Sequence, residues 1–123
     1  MLFNPTQQIF NYKSKIYIAN KKSSIIDEDG NEIPQYEEPI AYMFNVQPAN
    51  KGSDTREFGE NVTGLLVAVI PKAKYKGKFK EFDLVYIDTT PEDEEEHGDN
   101  ADYRIFAIRS QNVAIRLYFK KLI

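Results

Sequence analysis

Residues 102–108 (DYRIFAI) and 113–120 (VAIRLYFK) constrain this chain more than any other part of it. They flank Arg109 and a three-residue turn, Ser110-Gln111-Asn112. In the second run Val113, Ile115, Leu117 and Phe119 alternate with Ala114, Arg116, Tyr118 and Lys120. A period of two places successive side chains on opposite faces of a strand, one toward a core and one toward water or a partner. A helix cannot use that pattern, so the closing third predicts a β-hairpin.

The rest of the chain supplies more strands and little else. Residues 15–20 (KIYIAN) read as a first strand. Residues 40–46 (IAYMFNV) read as a second, with Ile40, Tyr42, Phe44 and Val46 on one side. Residues 62–70 (VTGLLVAVI) are aliphatic on both faces and predict a buried strand ended by Pro71. Residues 82–87 (FDLVYI) add another. Asp29-Gly30 is a strong turn signal between Ile25-Ile26 and Ile33, and Pro34 and Pro39 argue against regular structure between them. Residues 1–14, broken by Pro5, form an N-terminal arm with Leu2, Phe3, Ile9 and Phe10 as apolar anchors. Residues 48–61 read as a loop, and residues 71–81 as a loop or extended hairpin. The expectation is a single all-β domain, a small β-barrel of about six strands with long loops.

Composition limits the chemistry. The chain has 123 residues, 16 basic and 19 acidic, for a net charge of -3, so no global attraction to nucleic acid is expected. There is no Cys, which excludes disulfides, thiolate catalysis and Cys-ligated zinc. No apolar run reaches the roughly 20 residues of a membrane span, and no signal peptide is expected. The sequon at Asn61 carries no weight without an export signal.

Few residues suggest a reactive site. His97, the one histidine, sits in an acidic run, residues 92–99 (EDEEEHGD), which reads as a solvated loop rather than a metal site. Asp27, Asp29, Asn31 and Glu38 match part of a calcium loop, but Glu32 stands where the sharp turn needs Gly, so a plain hairpin turn is expected. No nucleophile elbow and no phosphate-cradling Gly pattern occurs. No catalytic residue, metal or cofactor is therefore expected. Lys72, Lys74, Lys76, Lys78 and Lys80 alternate with Ala73, Tyr75, Gly77 and Phe79. An extended conformation would put all five ammonium groups on one face and Tyr75 and Phe79 on the other. Such a stripe would contact phosphates or an acidic surface, or would protect an edge strand from pairing. In a ring it would meet the acidic run of the next subunit.

The order of these segments resembles the head-closure proteins of long-tailed bacteriophages, also called head-completion, stopper or head–tail connector proteins. The likeness runs from Lys15 to Leu122: an arm, the strand IAYMFNVQ, a polar loop, the strand GLLVAVIP, the segment FKEFDLVYID and the final hairpin. Its most characteristic stretch is Tyr103, Ile105 and Ile108, then a short turn and an alternating last strand. The resemblance implies a non-enzymatic ring of identical subunits in the virion neck, assembled in the host cytoplasm. That ring would close the DNA-filled capsid, touch packaged double-stranded DNA and bind portal, adaptor and tail proteins, without a membrane. By position, the docking or channel loops would include Asn50, Lys51, Asp54, Arg56, Glu57 and Phe58, with the lysines at 72–80. The same pattern suits a tail-completion, tail-terminator or adaptor protein of the neck. A single-stranded nucleic-acid-binding barrel of the oligonucleotide-binding type is the other reading, using the five lysines with Tyr75 and Phe79.

Overall fold

All strand pairs are antiparallel. The computed structural model describes residues 13–49, 56, 58, 59, 64–91 and 100–122. In chain order the strands are β1 (Ser14–Ala19), β2 (Lys21–Ile26), β3 (Glu32–Tyr36), β4 (Ile40–Phe44), β5 (Val46–Pro48), β6 (Leu66–Pro71), β7 (Leu84–Tyr86), β8 (Tyr103–Ser110) and β9 (Ala114–Lys121). Seven of them curl in one sheet, in the order β4-β1-β7-β8-β9-β6-β5, and β2 and β3 pair as a separate hairpin. The fold is all-β and barrel-like, as the sequence predicts, with nine strands among the described residues rather than six.

The two edge strands explain the curl. β4 and β5 lie at opposite ends of the strand order, yet only Asn45 separates them in sequence. The stretch read as one strand over residues 40–46 therefore bends at Asn45, and its halves serve the two margins of the sheet. Tyr42 and Phe44 point inward as expected, whereas Ile40, expected beside them, is half exposed.

The core fills the inside of the curl. Ile16 and Ile18 from β1, Tyr42 and Phe44 from β4, Ala68 and Ile70 from β6, Val85 from β7, Tyr103 and Ile105 from β8, and Ile115, Leu117 and Phe119 from β9 form one cluster. Full burial of each large apolar side chain is worth about 1.5–3 kcal/mol. Val113, expected on this face, stands instead in the turn at 83% exposure. β8 runs two residues past Ile108, with Ser110 paired to Ile115, and β9 begins at Ala114 rather than Val113, so the turn is Gln111-Asn112-Val113.

The spacing Tyr103, Ile105, Ile108 now has a cause. Ile105 pairs with Phe119 and Ala107 with Tyr118, so Phe106 is an extra residue, a β-bulge. Past it the parity of β8 reverses. Tyr103, Ile105 and Ile108 serve the inner core, while Phe106 and Ala107 both pack on the outer face against Tyr118 and Phe58.

One proline and two acids shape the remainder. Pro34 lies inside β3, where no regular structure was expected. The register shift between Lys22 and Ile25 sets Ser23 and Ser24 opposite Pro34, so the bulge falls where proline has no N–H to give the ladder. Asp27 accepts the amides of Asp29 and Asn31 at 3.0 and 2.8 Å, and Gly30 takes φ 83, which closes the hairpin turn. β7 is shorter than the expected 82–87. Asp102 diverts the amides of Ile87 and Asp88, each at 2.9 Å, and Phe82 takes φ 75 in a turn.

Candidate interaction surface

Asp83 fixes the segment that carries the lysines. Its side chain is fully buried. One carboxylate oxygen accepts the Lys21 amide, and the other accepts the Lys80 amide and the Asn20 side-chain amide, all at 2.9 Å. Burial pushes the Asp83 carboxyl above its ordinary value of 3.8, against the opposing pull of those donors and of the Lys80 charge.

The lysine stripe is not a stripe. Lys72–Tyr75 is a single helical turn that begins after Pro71, and Gly77 turns the chain at φ 74. Proline suits the start of such a turn because it has no N–H to donate, and the positive φ at Gly77 ends any extended run. Lys72 donates to the Gln111 carbonyl at 3.1 Å, Lys74 stands over the Tyr75 ring, Lys78 lies 5.8 Å from the Tyr42 and Tyr75 rings, Lys76 follows the helical turn, and Lys80 joins the Asp83 network. Tyr75 and Phe79, expected on the face opposite the lysines, pack on the core with Tyr42 and Phe44 at ring separations of 5.3–6.2 Å. The segment is therefore not the extended run with lysines on one face and aromatics on the other.

Of the residues assigned to docking loops, Asn50, Lys51, Asp54 and Glu57 lie outside the described residues, as do the arm at 1–12, the sequon at Asn61 and the run 92–99 with His97. Arg56 is exposed. Phe58 is partly buried: its ring sits 4.6 Å from Tyr118 and 5.8 Å from Phe106, with the Arg109 guanidinium 5.6 Å away. It covers a satellite cluster on the outer face of the sheet and is in part a packing residue.

Three surface features remain. The β2–β3 hairpin projects from the sheet with Ile25 and Ile26 at 54% and 74% exposure. An open groove of about 430 Å³ lies where β4 bends into β5. Lys13, Lys74 and Arg116 line it together with Met43, Val69 and Tyr75, and among the described residues no acid is in its walls. The third feature is a cation–aromatic row on the outer face of β8 and β9. Arg104 lies 5.3 Å from the Phe82 ring and 5.6 Å from the Phe106 ring, Lys21 lies 5.8 Å from Phe82, and Lys120 lies 5.4 Å from Phe106. Sequence reasoning missed this row. The available signal was the absence of any Asp or Glu from β8 and β9, which together carry Arg104, Arg109, Arg116, Lys120 and Lys121.

No family model matches the chain, and no curated protein matches it. A solved structure does: protein SF1141 from Shigella flexneri 2a, determined in solution, superimposes with a TM-score of 0.58 at 13% sequence identity. The match covers 93% of this chain and 96% of that one, so the two share a fold over nearly their whole lengths.

Proposed function

We propose that this chain is a structural, non-catalytic subunit of a phage head–tail connector ring, which closes the filled capsid and offers a face to the tail. The observation that carries the reading is the β2–β3 hairpin. A two-stranded ribbon is marginal in water by itself, and this one holds two isoleucines in solvent at its far end. A neighbouring subunit that covered Ile25 and Ile26 would bury the apolar surface that the barrel leaves open. The groove beside Asn45 adds a complementary element: its three cations and apolar floor suit an acidic segment of the adjoining subunit or of a neck partner. The placement in the virion neck, and the portal, adaptor and tail partners, rest on the resemblance in segment order.

Light scattering on the full chain, over a concentration series, tests the assembly. A concentration-dependent ring is expected, weaker as salt shortens the Debye length below about 8 Å. The double variant Ile25→Asp/Ile26→Asp should run as a monomer with an unchanged circular-dichroism spectrum, because both side chains are exposed in the single subunit. A wild-type monomer at every concentration, or a variant that assembles like wild type, would overturn the hairpin contact.

A further inference from the structure

We propose that the outer face of β8 and β9 binds a single-stranded nucleic acid. This does not depend on the ring reading. The two strands carry five cations and no acid, in a chain whose net charge is -3. One cationic pair stands directly across the ladder, Arg104 opposite Lys120. Like charges facing each other across a sheet are unfavourable, so this arrangement costs stability unless an anion relieves it.

Among the described residues, two acids next to this face turn away from it. Asp83, which follows Phe82, gives its carboxylate to the amides of Lys21 and Lys80. Asp102, which precedes β8, gives its own to Ile87 and Asp88. Glu81 is exposed beside Phe82, at the rim.

Aromatic rings alternate with these cations. By contact the order is Lys21, Phe82, Arg104, Phe106 and Lys120. Phe82 is the most telling member. It is 55% exposed and holds φ 75, a backbone region that favours Gly and that bulky side chains avoid. Nothing in the packing of the barrel asks for a phenylalanine there. A ring held in solvent between Lys21 and Arg104 is placed to stack a base while the cations take the flanking phosphates. An acidic peptide would satisfy the charges but would leave the rings unused. A duplex would hide its bases from them, so an unpaired strand is the ligand that uses both.

The test is fluorescence anisotropy of the full chain with a labelled oligothymidylate of about 12 nucleotides, within the ~4–16 that such a face accommodates. Binding should be steeply salt-dependent, and Lys120→Gln should flatten that slope. Phe82→Gly is the decisive variant. It relieves the left-handed backbone, so its thermal midpoint should equal or exceed that of wild type. It should nevertheless weaken binding about 5- to 100-fold, the range that loss of one stacked base gives. Three results would each overturn the proposal: no binding at low salt, undiminished binding by Phe82→Gly, or equal binding of a polyglutamate peptide or a duplex of the same sequence.

Discussion

Phe119→Asp will leave no cooperatively folded barrel, while Val113→Asp will leave the barrel intact. Both residues belong to the same alternating set in the sequence, so the contrast tests the structure and not the pattern. Phe119 is fully buried on β9, with Ile105 of β8 on one side and Leu66 of β6 on the other. Removing its ring costs about 3–5 kcal/mol in lost packing and cavity formation. The carboxylate that replaces it meets an apolar cluster of Ile, Leu and Tyr side chains, which adds several kcal/mol more. The sum rivals the whole stability of a small domain, about 5–15 kcal/mol. Val113 stands in the turn at 83% exposure, and a surface change of this kind shifts stability by only about 0.5 kcal/mol. Urea unfolding followed by circular dichroism measures both. A cooperative transition for Phe119→Asp near the wild-type midpoint would remove the inner face of β9 from the core.

That contrast also marks how far periodicity can be read. Alternation locates a strand and its inward face because side-chain direction is set by the backbone alone. It does not show where the ladder ends, since that depends on which amides find another acceptor. Val113 keeps the rhythm but lies past the last pair of β8 and β9. Ile87 keeps it too, and loses its place in β7 because the Asp102 carboxylate takes its amide. Pro34 reads as a breaker, and it is tolerated because the two serines opposite it make a bulge. The bend at Asn45 carried no local mark, for it is the requirement of two sheet margins rather than of the residues around it.

The candidate surface was harder to read for the same reason. The run from Lys72 to Lys80 reads as a stripe because its charges alternate in sequence, but Pro71 and Gly77 coil it and send its aromatics inward. The row that faces solvent draws Lys21, Phe82, Arg104, Phe106 and Lys120 from four separate parts of the chain. Only its negative signature, two long strands without an acid, was present in the sequence.

Asp83→Ala should be the most damaging substitution of a polar side chain, although Asp83 touches no proposed ligand. The carboxylate ties the junction of β1 and β2 to the segment that ends in Phe82. Its loss leaves the Lys21 and Lys80 amides without their acceptor and takes one of the two acceptors of the Asn20 side-chain amide, which keeps the Lys78 carbonyl. Each such donor costs about 1–3 kcal/mol, so a total of about 3–5 kcal/mol is expected after partial relaxation. Asp83→Asn will not restore wild-type stability, because its one oxygen can serve only one side and its NH2 must face another donor. The same pair of proteins gives the pH dependence a sign. Burial raises the folded-state value above the ordinary 3.8, so over the window between the two the folded protein keeps a proton that the unfolded chain has lost. Stability from this carboxyl is therefore fully present below 3.8 and declines as pH rises through the folded value. Asparagine has no such titration, so the wild-type advantage over Asp83→Asn should narrow as pH is raised from below 3.8 toward neutrality. Urea midpoints of the two proteins across that range measure it. An advantage that widens with pH would mean that the three accepted hydrogen bonds outweigh burial and hold the carboxyl below its ordinary value.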